Sequence, residues 1–261
     1  MAKIVFFDID GTLVSFRTHR VPDSTRQAIA ALRRKGVKVY IATGRSVQFI
    51  DNLDGVEYDG MVTVTGAYCF ARGGDEIYTR AVSGATVCRV ADFLEQSAEA
   101  YPVIFVCRDE LFVNQVSADV EEVARYLNIH VPQVCRPSCA KGKEVLQMIS
   151  FFRAESEPRL MGQLMPDCSS MRWHPLFTDV VAAGVSKSVG IDKVLAYEGL
   201  TLQDAMAFGD GGNDIPMLSH VPCSVAMGNA SDEVKQAAAF VTGAVDDDGV
   251  VRALRRFGLL D

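Results

Sequence analysis

Short apolar runs separated by amphipathic stretches occupy both ends of this 261-residue chain, and the middle breaks that rhythm. "KIVFF" (3–7), "VKVYIA" (37–42) and "GMVTVTG" (60–66) read as strands. Their near-continuous apolar character is that of strands buried on both faces. Between the first two lies "DSTRQAIAALRRKG" (23–36), a helix with Pro22 ahead of it, Asp23 or Ser24 as N-cap, a basic last turn and Gly36 as its stop. "SVQFIDNL" (46–53) is expected as a second, shorter helix. After "AAG" (182–184) the alternation resumes: helix "KSVGIDKVLAYEG", strand "DAMAFG", helix "NDIPMLSH", strand "CSVAMG", helix "SDEVKQAAA", strand "FVTG" and a closing helix from Gly249. Strands alternating with helices predict a parallel sheet covered on both faces, a doubly wound, Rossmann-like α/β core.

The middle reads differently. "AYCFARGGDEIYTRAV" is a hairpin turning at Gly73-Gly74, and the residues beyond it place strands next to strands with fewer helices between. Antiparallel pairing follows, so this stretch is an α+β segment large enough to form its own domain. The expected organisation is a core of residues 1–82 and 184–261 with an inserted domain at 83–183.

Composition narrows the function classes. With a formal charge of -7 and a pI near 5.2, the chain offers no basic field to hold nucleic acid or an anionic membrane by charge alone. No apolar run approaches the roughly 18 to 20 residues of a membrane span. The N-terminus reads as a strand, not as the core of a signal peptide. Seven cysteines, an odd number without a CxxC pair, read as reduced thiols, and a cytoplasmic protein is expected. Cys135, Cys139 and His130 fit no standard zinc spacing and lack a fourth ligand.

Four short stretches carry the chemistry: Asp8 to Leu13, Thr43-Gly44-Arg45, Lys187 in "GVSKSVGI", and "GDGGNDIPML" with Asp210, Asn213 and Asp214. In open α/β sheets, ligands bind outside the carboxyl ends of the strands, where most of these fall. Two carboxylates 4 Å apart repel by roughly 1 kcal/mol in water and about 4 kcal/mol at an effective dielectric of 20. One lysine does not offset several acids plus an anionic substrate, whereas a divalent cation does. Oxygen-only ligands that share a phosphate favour Mg²⁺. A carboxylate beside that ion is ionised at neutral pH and can attack phosphorus, with a second carboxylate two positions on serving as acid and then base.

These motifs, in this order, resemble the haloacid dehalogenase-like phosphohydrolase superfamily: "DIDGTL" for its first motif, Thr43 for the second, Lys187 for the third and "GDGGND" for the fourth. The flanks "IATGR", "GVSKSVGI", "VAMGNA" and "DDDGV" are similar to its Cof-like subgroup, which carries a large α/β cap between the second and third motifs. The resemblance implies a Mg²⁺-dependent phosphatase acting on small phosphate monoesters, commonly sugar phosphates, with the inserted domain as a cap that selects substrate. It implies Asp8 as nucleophile and metal ligand, and Asp10 as acid/base with its carbonyl on the metal. Thr43 and Lys187 would hold the phosphoryl group, Asp210 and Asp214 would serve the metal, and Asn213 would neighbour the phosphate; Gly44 and Arg45, which follow Thr43 at the mouth of the sheet, are candidate substrate contacts by position. This chain departs from the subgroup at Thr65-Gly66-Ala67, where Asn-Gly-Ala is frequent, at Ser188, where glycine is usual, and at Val221-Pro222.

Plainer readings compete at several positions. Asp8 and Asp10 alone suit a polar turn after a strand, Asp214 suits a helix cap, and Arg45 suits a surface salt bridge. "GDGGND" lacks the GK[ST] of a P-loop, and Asp246 to Asp248 lack EF-hand spacing. Arg153, Arg172, Trp173 and His174 are either substrate contacts or packing. Two other functions share the same residues: a phosphomutase or phosphotransferase on sugar phosphates, and a non-catalytic phosphate-responsive module.

Overall fold

The computed structural model describes residues 2–53 and 55–261. The chain divides into two compact units. One comprises Met1–Arg45, Ile50–Thr79 and Ser186–Asp261, and the other Ser46–Phe49 and Arg80–Val185. In the first unit the elements run β1 (Ile4–Phe7), α1 (Asp23–Arg34), β2 (Lys38–Ala42), β3 (Gly60–Thr63), β4 (Tyr68–Ala71) and β5 (Glu76–Thr79). The second unit supplies α2 (Gly84–Gln96), β6 (Val103–Cys107), β7 (Leu111–Val113), α3 (Ala118–Tyr126), β8 (Val145–Ser150), α4 (Glu157–Leu164), β9 (Cys168–His174) and β10 (Phe177–Ala182). The chain then returns to the first unit with α5 (Lys187–Glu198), β11 (Ala205–Gly209), α6 (Ile215–His220), β12 (Cys223–Ala226), α7 (Asp232–Ala237), β13 (Phe240–Val241) and α8 (Gly249–Arg256).

An eight-stranded sheet in the order β13-β12-β11-β1-β2-β3-β4-β5 organises the first unit. Strands β13 through β3 are parallel, and the β4–β5 hairpin closes one edge antiparallel. Every residue of β1 is buried, and its alternation splits the core in two. Val5 and Phe7 join Ile29 and Leu32 of α1 and Val250 and Leu254 of α8. Ile4 and Phe6 join Ile191 and Val194 of α5 and Met217 of α6. Winding runs outward from β1 through β2 and β3 on one side and from β11 through β12 and β13 on the other. The reversal between β1 and β11 is where ligands bind in such sheets.

The second unit is an antiparallel sheet in the order β7-β6-β8-β10-β9. Val90 and Leu94 of α2 and Leu160 of α4 cover Phe105, Met148 and Val180 of the sheet. Here Arg172 is held by Glu157 (2.7 Å) and the Phe152 carbonyl (3.0 Å), Trp173 donates to Asp179 (2.9 Å), and the His174 ring stacks on Phe177. These three side chains are thus engaged in packing within the unit, while Arg153 is exposed. Cys135 and Cys139 lie with Sγ atoms 3.1 Å apart, but His130 packs on Phe49.

The doubly wound core and the α+β character of the middle segment are as the sequence predicts. Two local expectations fail. "SVQFIDNL" is not a helix beyond a single 3-10 turn at Val47–Phe49, a length too short to repay helix nucleation. Neither Asp23 nor Ser24 caps α1, because Pro22 occupies the N-cap position and Ser24 Oγ donates instead to Asp248 at 2.5 Å. No helix among the described residues is long and apolar enough to cross a membrane.

Phe7 is fully buried and stacks on Phe208 of β11 with ring centroids 4.9 Å apart, so it ties together the two strands that flank the reversal. Phe7→Ala is expected to cost about 3–5 kcal/mol by loss of apolar burial and the cavity left behind. Urea unfolding followed by circular dichroism measures it as a lower midpoint at unchanged slope. A shift equivalent to less than about 1 kcal/mol contradicts this account of the core.

Candidate active site

The site is built where β1 and β11 end. Asp8 continues the pairing one residue beyond β1, its N–H donating to the Phe208 carbonyl at 3.0 Å, which aims the side chain off the edge of the sheet. The following loop is tightly wound. Leu13 and Val14 both donate to the Ile9 carbonyl, and Gly11 turns at φ +82°, a conformation glycine bears without strain. A Cβ at Gly11 would run into the Asp210 carboxylate, so the glycine also makes room for an acid from the far half of the chain.

Lys187 opens α5, whose first turn is capped by Ser186 Oγ accepting from the Val189 N–H (3.3 Å). That start directs the ammonium inward. Lys187 Nζ donates to Asp8 Oδ1 at 2.6 Å and to Asp214 Oδ1 at 2.5 Å, and the lysine is fully buried. Asp214 ends a 3-10 turn, Gly212–Asp214, and its Oδ2 accepts the N–H groups of Asp210 and Gly211, both at 2.9 Å. It therefore caps that turn and binds Lys187 together, although it makes no side-chain cap to α6. One oxygen each from Asp8, Asp210 and Asp214 lies within 4.8 Å of the others.

Two residues that sequence reasoning did not single out hold Asp210. Thr12 Oγ1 donates to its Oδ1 at 2.8 Å, and Asn229 Nδ2 donates to its Oδ2 at 3.1 Å and to the Gly11 carbonyl at 2.9 Å. Asn229 Oδ1 accepts from the Val245 N–H at 3.0 Å, so this one amide joins three loops. Thr12 sits inside "DIDGTL" and Asn229 inside "VAMGNA", so both lay within stretches already read as significant.

Asp10 does not join the carboxylate cluster through its side chain. Arg45 grips it in a fork, Nε to Oδ2 and Nη2 to Oδ1, both at 2.7 Å, with Arg45 only 8% exposed. A surface salt bridge is therefore the wrong description of Arg45: the arginine is buried, its partner half-buried, and the pair bidentate, the geometry that fixes a carboxylate's direction best. Thr43 follows β2, its N–H donating to the Val62 carbonyl (2.8 Å) and its Oγ1 accepting the Arg45 N–H (3.1 Å). Gly44 lies half-buried between them. Asn213 is half-buried on the 3-10 turn, and among the described residues no hydrogen bond links its side chain to the cluster.

The cluster is short of positive charge. Burial first, and then the nearby Asp214, pushes the Asp8 carboxyl up to about 7, although Lys187 works in the opposite direction. Burial and the charges of Asp8 and Asp214 push Asp210 to about 8. Burial alone would lower Lys187, but Asp214 and Asp8 outweigh it and hold the ammonium charged. Three carboxylates and one ammonium leave two negative charges when ionised, which a divalent cation matches. An all-oxygen donor set with three acids fits a hard divalent cation. Among the described residues this is the one grouping of three such side chains able to hold a metal.

A family model described as haloacid dehalogenase-like hydrolase matches residues 5–254. YkrA of Bacillus subtilis (strain 168) is 34% identical over 262 residues, covering 99% of each chain. The structure of the HAD subclass IIB sugar phosphatase BT4131 superposes with a TM-score of 0.91 at 42% identity, covering 99% of this chain and 100% of that one. A crystal structure from work on a trigonal-bipyramidal intermediate in a phosphoryl-transfer superfamily gives 0.93 at 41% identity over the whole of both chains. With four ordered motifs converging on one carboxylate cluster and matches that span nearly the full sequence, the chain belongs to the haloacid dehalogenase-like hydrolases, among the Cof-like phosphohydrolases.

Proposed function

We propose that the protein is a Mg²⁺-dependent phosphatase that hydrolyses small phosphate monoesters, sugar phosphates foremost, through an aspartyl-phosphate on Asp8. The observation that carries this reading is the meeting of Asp8, Asp210 and Asp214 around a buried Lys187 at the sheet's reversal. The sugar phosphate assignment draws on BT4131, described as a sugar phosphatase, at 42% identity. Residues 1–82 and 184–261 form the catalytic core in this reading, and residues 83–183 a cap that selects the leaving group. The setting is cytoplasmic, in keeping with seven free thiols.

Asp8 supplies the nucleophilic oxygen. Its carboxylate attacks phosphorus while the bond to the leaving oxygen breaks, and Asp10 gives that oxygen a proton. Asp10 then takes a proton from water as the water attacks the acyl phosphate, releasing inorganic phosphate and restoring Asp8. Arg45 sets the direction of Asp10, and one arm of its fork must yield when that carboxyl carries the proton. Lys187, the Thr43 hydroxyl, Gly44 and Asn213 hold the phosphoryl oxygens, on which charge concentrates during transfer. Asp8, Asp210 and the Asp10 carbonyl, with Asp214 in support, would hold Mg²⁺, which when bound would supply charge neutralisation for the incoming phosphate.

Asp8→Asn keeps the shape of the side chain but removes the nucleophile. Phosphate release from a panel of sugar monophosphates is expected to fall by at least about 10⁴-fold with the circular dichroism spectrum unchanged. Near-wild-type release by this variant rules out the covalent route. An isomerised sugar phosphate as the wild-type product, in place of free phosphate, identifies a mutase instead.

Metal dependence has a signature in stability. Without divalent ions, folded Asp8 and Asp210 keep protons up to about 7 and about 8, whereas the unfolded chain releases them near pH 4. The folded state thus binds more protons across that window, so its stability falls as pH rises through it. Lys187 stays charged throughout and adds no opposing trend there. Adding Mg²⁺ is therefore expected to raise Tm more at about pH 8.5 than at about pH 6, because the ion replaces protons the cluster otherwise holds. A Mg²⁺ response independent of pH, measured by thermal unfolding after EDTA treatment, contradicts this cluster as the ion site.

A further inference from the structure

The turn after β3 has two consecutive β-branched residues in the left-handed region, Val64 at φ +52° and Thr65 at φ +56°. Such residues rarely adopt this conformation, which glycine and asparagine bear far more easily. Thr65 is also fully buried, and its Oγ1 has no hydrogen-bond partner. One position thus carries two costs that a simpler residue would avoid. Strain and orphaned polar atoms of this kind gather where a ligand is to be met.

The turn is fastened to the segments that carry the proposed phosphate ligands. Val64 N–H donates to the Arg45 carbonyl at 3.0 Å and Thr65 N–H to the Thr43 carbonyl at 3.1 Å. Gly66, at φ +98°, lies so close to the Ser186 carbonyl that no Cβ fits, and the Lys187 nitrogen lies 3.2 Å from where that Cβ would be. The turn therefore touches the backbone of Thr43 through Thr65 and the backbone of Ser186 and Lys187 through its next residue, Gly66. Burial is no obstacle to a ligand contact here, since Thr43 and Lys187 are themselves 1% and 0% exposed.

We propose that Thr65 is a further substrate-binding residue whose hydroxyl donates to a phosphoryl oxygen alongside Thr43 and Lys187. The inference rests on the phosphatase reading above. It explains why a hydroxyl is kept in a strained, dry position: its partner arrives with the substrate. Valine at this position preserves shape and removes only the donor.

The test compares wild type with Thr65→Val, Thr65→Ala and Thr65→Ser in three measurements: thermal unfolding, KM and kcat for phosphate release from sugar monophosphates, and inhibition by inorganic phosphate. Thr65→Val is expected to unfold no lower than wild type, because an orphaned hydroxyl is gone. It should nevertheless raise KM and the inhibition constant for inorganic phosphate by about tenfold, the value of one hydrogen bond to a charged group. Thr65→Ala should weaken phosphate equally, and Thr65→Ser should restore it to within about threefold. A stable Thr65→Val or Thr65→Ala with unchanged KM and inhibition overturns the inference, as does loss of the fold in both. If wild type turns over no ester yet inorganic phosphate raises its Tm in a Thr65-dependent way, the hydrolase reading fails and the phosphate contact stands.

Discussion

The ammonium of Lys187, buried between Asp8 at 2.6 Å and Asp214 at 2.5 Å, is the contact on which the rest of the site depends. Burying an ion costs several kcal/mol unless partners replace its hydration, and here three segments distant in sequence must arrive together to do so. Asp8 comes from the end of β1, Asp214 from the turn after β11, and Lys187 from the start of α5. Helix α5 is seated by Gly190, where a Cβ would strike Val62 and Cys69, so its close approach to β3 fixes how far Lys187 reaches. Core packing and active-site electrostatics are in this sense one constraint.

That constraint explains which features were legible in the sequence. Strands such as Ile4–Phe7 and Ala205–Gly209 are apolar throughout because both faces are covered, and the acids that follow them stand out against that background. Asp8 and Asp210 are visible for this reason. Local signals served less well where tertiary contacts decide. Residues 46–53 have helical composition yet form one 3-10 turn, and the expected cap of α1 spends its hydroxyl on Asp248, which lies 224 positions away. The Arg45–Asp10 fork and the reach of Asn229 to Gly11 are contacts across 35 and 218 positions, and no spacing rule encodes them.

Charge balance orders the site into layers. Asp210 is held by two neutral donors, Thr12 and Asn229, which orient its oxygens without cancelling their charge. Asp214 receives two backbone N–H groups as well as Lys187. Asp10, by contrast, is matched by its own arginine, although its charge still bears on Asp8. Two neighbouring acids of one short motif are thereby given different environments, one sharing a single buried ammonium with Asp214 and one gripped by its own arginine. Distinct roles for identical side chains follow from such a difference.

All of these residues, from Asp8 and Thr12 through Arg45 to Lys187, Asp214 and Asn229, belong to the first compact unit, on both sides of the long insertion. The second unit has its own sheet and its own core, built from α2, α4 and the inner faces of β6, β8 and β10. Each unit therefore has its own central packing, and the side chains gathered around Lys187 all come from the first. On the proposed reading, substitutions on the inserted sheet alter which ester is accepted and leave the charge arrangement around Lys187 as it is. On the proposed reading, that separation of chemistry from selection is what allows one carboxylate cluster to serve a family of differing substrates.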